Sequence, residues 1–469
     1  MLVLAFMGIF LMILTTLTSY AFQQSKYGRA LYGREQALHI AESGLEYYRW
    51  FLAHFPNNLT NGTGQAGPYT YTVNDPEGAQ LGSASLTVAG NLQCNVIQSI
   101  DITSVGTADL NPGFPRTIYA RYMRPSVATY SYLLNSHVWA GADRNITGPY
   151  FSNGGIRMDG SNNSDVESAL STWSCNSSFG CSPTQTKNGV FGAGSGSALW
   201  SYPAATIDFA GIGVNLSNLK TYAQNNGGRY YAAATGNVNQ RGYHIIFKAN
   251  GRYDIYKVTG TVAVSSYSEP TGWITNEYSI INTETPLASD VTIPSSCSVI
   301  FVEDRVWVEG TITGKVTLAA ATPSTTSTTP TIYLVNNITY AANDGTVGFT
   351  AIAEGNVLIP LNSPDTMTLS GIFVAHNGRY GRNLYVTDNS YDPYDVPESY
   401  NSYVLRTQLT TIGTVVSNLR TGTSWTSGGV PISGYQSRID AYDQTQATNP
   451  PPFTPSASTD YRFVLWREQ

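Results

Sequence analysis

The chain has 469 residues, enough for about three domains at roughly 150 residues each. Charged residues are only 12% of it, about half the usual share of roughly 25%, and 25 Lys+Arg against 31 Asp+Glu leave a formal net charge of -6. No basic stripe is present, which argues against a nucleic-acid partner. Aromatics at 12%, including 32 Tyr, argue against disorder and for a β-rich, extracytoplasmic protein.

Met1 to Ser25 carries no charged residue, and Lys26 is the first. Leu2 to Leu14 is almost purely apolar, and the milder Thr15–Ala21 extends the run to the roughly 20 residues a membrane span needs. A cleaved signal peptide is the alternative, since Ser19-Tyr20-Ala21 offers small residues at the cleavage positions. Against it, no Lys or Arg precedes the run, and the helical pattern continues beyond. Leu31, Leu38, Leu45 and Leu52 fall seven apart; Arg34, Ala41, Tyr48 and Phe55 interleave with them. Pro56 ends the pattern. The expectation is one helix of roughly 80 Å over residues 1–56, membrane-spanning first and amphipathic afterwards. Its packing face is assigned to Leu31, Leu38, Ala41, Leu45, Tyr48 and Leu52.

Residues 57–129 follow with a polar loop to Pro68 and four stretches of strand-like alternation: Tyr69–Val73, Ala84–Val88, Val96–Val105 and Arg116–Tyr122. A helix packed on one face of a small antiparallel sheet makes the fold class α+β. From about Tyr130 the pattern changes to short apolar bursts separated by Gly, Asn and Asp, most clearly in Val299–Leu318. Residues 130–425 are therefore expected to form a large all-β domain, a parallel, right-handed β-solenoid, with a β-sandwich as the alternative. A Ser/Asn/Gly-rich insertion is assigned to about 159–240, with a short helix around Leu216 to Gln224. The Ser/Thr run Pro323–Pro330 reads as a loose loop, and 426–469, with its Asn449-Pro450-Pro451-Pro452-Phe453 run, as a C-terminal strap.

Of the four cysteines, Cys175 and Cys181 share one polar loop and are expected to form a disulfide; the pairing of Cys94 and Cys297 stays open. Five scattered histidines (His39, His54, His137, His244, His376) give no zinc spacing, and no P-loop or nucleophile elbow is present. The acidic loop Asp388, Asp392, Asp395 and Glu398 is the best metal candidate: four carboxylates match calcium's demand for oxygen, though without EF-hand spacing. Otherwise no cofactor is expected. Asp159, Asp165 and Glu167 lie close in a Gly/Ser/Asn loop without a Lys, His or Arg triad, and Glu303, Asp304 and Glu309 flank a strand at a spacing that suggests solvent-facing corners, so neither set reads as catalytic and the chain is read as non-enzymatic. The dense tyrosines Tyr222, Tyr230, Tyr231, Tyr243, Tyr253 and Tyr256 have two readings, core packing and sugar stacking.

An apolar N-terminal helix running unbroken into an amphipathic half resembles type IV pilins and pseudopilins. The segment Ala37-Leu38-His39-Ile40-Ala41-Glu42-Ser43-Gly44-Leu45-Glu46 is similar to the Ala-x-x-x-Ala-Glu-x-Gly-x-Glu stretch of PilX-like minor pilins. The ending, with Tyr442-Asp443, Asn449–Phe453 and Trp466-Arg467-Glu468, is similar to large PilX-like proteins with a solenoid head. Two features depart from the family. No basic leader ending in Gly is seen, so the start is either mature or placed late, and Ala5 stands where major pilins carry Glu. The resemblance implies a minor pilin in the inner membrane before assembly and in the cell-surface pilus afterwards. Its implied partners are other pilin subunits through the helix, and its head sits at or near the tip for adhesion to a surface glycan or protein. The alternatives are a membrane-anchored envelope adhesin outside any filament, or a solenoid polysaccharide enzyme.

Overall fold

A single helix, α1 (Leu2–His54), opens the computed structural model, which describes residues 2–212, 215–269, 271–323, 329–387 and 393–469. No proline interrupts it before Pro56, so its 53 residues run about 80 Å. From Leu2 to Phe22 nearly every side chain is exposed. The hydroxyls of Thr15, Thr16 and Thr18 donate back to carbonyls one turn earlier at 2.8–3.0 Å, so these polar groups need no outside partner.

The chain divides into two units. The first holds α1 and a five-stranded sheet of β1 (Tyr69–Asn74), β2 (Gln80–Gln93), β3 (Val96–Ala108), β4 (Arg116–Met123) and the C-terminal strand Arg462–Glu468, in that order. The pairs β1/β2, β3/β4 and β4/C-terminal strand are antiparallel. One face is covered by α1, so β3 alternates: Ile100, Ile102, Ser104, Gly106 and Ala108 point inward and are buried. These inward residues shrink along the strand, and the helix shrinks with them. Leu45, Tyr48 and Leu52 belong to the same core as Ile100 and Ile102, whereas Ala37 and Ala41 lie over Gly106. A Cβ on Gly106 would come within 2.0 Å of the Ala37 carbonyl oxygen, and one on Gly44 within 2.7 Å of the Ala84 Cβ. Backbone therefore meets backbone at one end of the helix–sheet contact, and large side chains meet at the other.

The second unit, Pro125–Asp460 with Gln93–Val96, is inserted between β4 and the C-terminal strand, whose ends Met123 and Arg462 face each other. It is mostly β, and its sheets are dominated by parallel ladders. One ladder runs Ile300–Leu318–Ala351–Phe373–Val415 and continues, against sequence order, through Tyr132, Tyr150 and Val166. Every one of these faces a single core. Their neighbours Phe301, Ala319, Ile352, Val374, Val416, Leu133 and Phe151 face a second core on the other side, covered by Ile212, Leu219, Ala223, Phe453 and Ala457. Strands buried on both faces read as continuous apolar runs, which is why Val299–Val302 and Gly348–Ala353 show no polar alternation. An antiparallel hairpin, Arg252–Ser268 with Gly272–Thr292, adds a long arm that local patterning missed.

Two boundaries differ from the sequence reading. The stretch at about 159–240 is not wholly an insertion: Val166–Ser168 pairs in parallel with both Tyr150–Ser152 and Trp200–Ser201, and the short helix spans Leu216–Asn225. Strands of two or three residues are too short for periodicity to register. The 426–469 segment is not one strap either. Val430–Ala441 is a ladder strand beside Leu405–Ser417. Asn449 and Pro452 then accept hydrogen bonds from Lys315 and Thr317, and Thr454 bonds Thr350 at 2.7 Å. The last strand pairs with β4, a partner so distant in sequence that no local pattern announces it. Most of the Pro323–Pro330 run lies outside the described residues.

Candidate functional site

Along α1 the assigned packing residues divide. Ala41, Leu45, Tyr48 and Leu52 are buried, Leu38 is partly buried, and Leu31 is 43% exposed. Leu31 corrects the seven-residue stripe. A true helix drifts about 20° per heptad from a strict seven. Burial instead follows Gly33, Ala37, Ala41 and Gly44, and begins at Gly33 against Asn111. Sequence reasoning gave weight to the leucines and, of the small residues, named Ala41 alone, although Gly33, Ala37, Ala41 and Gly44 recur at steps of three and four. The Tyr48 hydroxyl donates to the Asn58 carbonyl at 3.0 Å, and burial pushes its pKa up to about 12. Tyr47 stacks on Tyr71 with ring centres 4.5 Å apart.

In the second unit Cys175 is bonded to Cys181, and Cys94 to Cys297. The smaller loop packs Trp173 and Phe179 against its sulfurs. Of the acidic-loop residues, Asp388 and Asp392 lie outside the described residues. Asp395 is half-buried, and Glu398 is exposed in the first turn of a 3-10 helix. Among the described residues, no group of three or more His, Cys, Asp or Glu is placed to hold a metal ion.

Several carboxylates weighed as catalytic have local partners. Asp159 accepts from the Trp139 indole and from Arg157, both at 2.8 Å. Glu303 is bound by Lys220 and the Tyr230 hydroxyl. Glu309 and Glu284 clamp His244 from both ring nitrogens, at 3.0 and 2.9 Å. Burial works against a charged His244 ring, but these two carboxylates outweigh it and raise its pKa. In the tyrosine-dense region Tyr243 and Tyr253 are buried and Tyr222, Tyr230, Tyr231 and Tyr256 half-buried; the Tyr253 hydroxyl lies 2.7 Å from that of Tyr231, and Tyr222 stacks on Phe453 at 4.9 Å.

A cavity of about 580 Å³ opens elsewhere in the second unit, and no sequence signal pointed to it. Its walls come from five parts of the chain: residues 132–159, the disulfide-bonded loop at Ser177 and Ser178, Glu269, Arg379 with Tyr380, and 409–440. Trp139 and Trp425 line it, both half-buried. The Trp425 indole donates to the Arg382 carbonyl at 3.0 Å, and Arg157 lies 4.1 Å from the centre of the Trp139 ring. On the buried side, Asp440 accepts from Tyr132 at 2.5 Å and from Arg144 at 2.8 Å. Nearer solvent, Arg438 grips Asp143 with two bonds of 2.7 and 2.6 Å, and Arg420 pairs with Glu269 at 3.1 Å. Arg420 also donates to the Ser178 carbonyl at 2.8 Å, tying it to the disulfide-bonded loop. This arrangement can offer aromatic faces beside fixed donors and acceptors. The detecting signal would have been spatial, because these residues are up to about 300 positions apart.

No family model matches the sequence, and no curated protein matches it. Among solved structures, the competence-associated pilin ComZ from Thermus thermophilus is similar over 93% of this chain and 97% of that chain, at 10% identity and a TM-score of 0.29. So low a score carries no argument about fold or function, and the reading below rests on this chain's own residues.

Proposed function

We propose that the chain is a minor type IV pilin-like subunit, anchored by α1 and carrying its second unit as an adhesive head at or near a filament end. The observation that carries this is the single unbroken helix: its first half is apolar and exposed, and its second half is seated on an antiparallel sheet. It is long and apolar enough to cross a membrane. An apolar surface of that extent needs cover, which a bilayer gives before assembly and a bundle of neighbouring helices gives afterwards. The small-residue stripe fixes the stem to the subunit's own sheet and leaves the apolar half for neighbours. The parallel ladders are read as coils of a β-solenoid, a rigid carrier for a recognition surface. A body spanning Pro125–Asp460 is hard to repeat along a thin fibre, which favours a tip position and low copy number. The role assigned is assembly and recognition, not catalysis.

The same helix also suits a membrane-anchored envelope adhesin outside any filament. Immunogold labelling against the second unit, viewed by electron microscopy, separates the two. The pilin reading expects gold at filament ends. Gold over the cell envelope with bare filaments would establish the rival, and uniform decoration along the shaft would remove the tip assignment.

A further inference from the structure

The cavity in the second unit has a charge balance that points to its ligand. Four acids line it (Asp143, Asp159, Glu269, Asp440) against four bases (Arg144, Arg379, Arg420, Arg438). Most are held by one another: Asp143 by Arg438, Glu269 by Arg420, and Asp440 by Arg144. A phosphate or sialate entering would meet as much negative charge as positive. A plain apolar ligand would strip water from charged groups without replacing its hydrogen bonds. Thr421, Thr423, Ser424, Thr426 and Gln436 add uncharged donors and acceptors to the same walls.

Two indoles complete the pattern. Trp139 and Trp425 each have their N–H engaged inside the protein, by Asp159 and by the Arg382 carbonyl, so each ring is fixed in place before any ligand arrives. A fixed indole face suits the C–H face of a pyranose ring, and ion pairs of fixed geometry suit its hydroxyls, which both donate and accept. The volume of about 580 Å³ falls within the roughly 300–1,000 Å³ of small-molecule sites. The rim is stiffened on one side, where the Cys175–Cys181 bond closes the loop that Arg420 holds.

We propose that this cavity is a binding site for a neutral oligosaccharide, with pyranose rings against Trp139 and Trp425 and hydroxyls on the Asp143–Arg438 and Glu269–Arg420 pairs. The proposal deepens the adhesive reading and rests on it for its biological setting, though not for its chemistry.

The test is calorimetry on the full chain in a detergent without a sugar headgroup, since a glycosidic detergent would compete. Probes are neutral hexose tetrasaccharides of α- and β-linked glucose and of mannose, a sialylated tetrasaccharide, and a single-stranded DNA 20-mer. At least one neutral tetrasaccharide is expected to bind saturably. Trp425→Ala should weaken it by about tenfold or more, the loss expected of one stacking aromatic, while Trp425→Phe retains most affinity. Gln436→Ala should weaken it without changing the thermal midpoint, which guards against a folding artefact. Binding of none of the neutral sugars overturns the proposal, as does tighter binding of the sialylated sugar or of DNA. So does affinity unchanged by both Trp425→Ala and Gln436→Ala. Filament-end gold without sugar binding would remove this site and leave the subunit reading. Sugar binding by a chain never found in filaments would do the reverse.

Discussion

The two units solve the burial problem in opposite ways. In the first, one helix covers one face of an antiparallel sheet, so β3 spends every second residue on the core and leaves the rest half-buried on the other face. In the second, a strand such as Val299–Val302 divides its residues between two cores, Ile300 and Val302 on one side and Val299 and Phe301 on the other. The first arrangement lets small residues set the spacing, as Gly106 under Ala37 shows. The second demands large or methyl-bearing side chains at nearly every position. Alternation is thus a sign of one-sided cover, and its absence a sign of two-sided cover, not of a different secondary structure.

The cross-links test that contrast with the largest expected effect. Cys94–Cys297 closes a separation of 203 residues and Cys175–Cys181 one of 6. On loop-closure entropy, replacing the first pair by serine should cost about 5 kcal/mol and the second about 2 kcal/mol. Urea unfolding of the two double variants, non-reduced, gives the comparison; equal losses would mean that the long loop is already constrained without its bond. Alanine substitutions on neighbouring residues come next. Ile300→Ala and Phe301→Ala should each cost about 3 kcal/mol, because both side chains are buried. In β3, Ile102→Ala should cost about as much, and Thr103→Ala, on the outer face, within about 0.5 kcal/mol. A cheap Phe301→Ala would return the second unit to one-sided cover.

One further effect is pH-dependent. The folded pKa of His244 is raised by Glu309 and Glu284. Its charged form therefore stabilises the fold fully below the unfolded value of about 6.5, and that contribution fades as pH rises through the higher folded value. The scale is about 1 kcal/mol, as for partly solvated ion pairs. Thermal midpoints measured from pH 5.5 to 9 should fall more in the wild type than in His244→Asn. Parallel curves would show that the ring adds nothing through its charge.

How legible these features were in the sequence follows from distance. The helix was readable because its evidence is continuous: no charge before Lys26, no proline before Pro56. The sheet strands of the first unit were readable because alternation is local. Leu31 misled because a leucine count cannot say where the sheet ends, and Gly33 could. The C-terminal strand and the Cys94–Cys297 pairing depend on partners hundreds of residues away. The cavity depends on Trp139, Trp425 and Asp440 meeting, and nothing in any one of their neighbourhoods distinguishes them from ordinary β residues.

The ladder that runs against sequence order has a consequence for how the protein is made. Tyr132–Leu134 rests on Val415–Ser417, and the Thr414 hydroxyl donates to the Tyr130 carbonyl 284 residues away. A chain emerging N-terminus first presents the strand Tyr132–Leu134 long before that platform has been synthesised. Those early strands lack this ladder neighbour until residues 415–417 have been made. Contacts this distant in sequence make for slow folding. They also leave apolar surface open to aggregation in the interval, until the strand Leu405–Ser417 has been made.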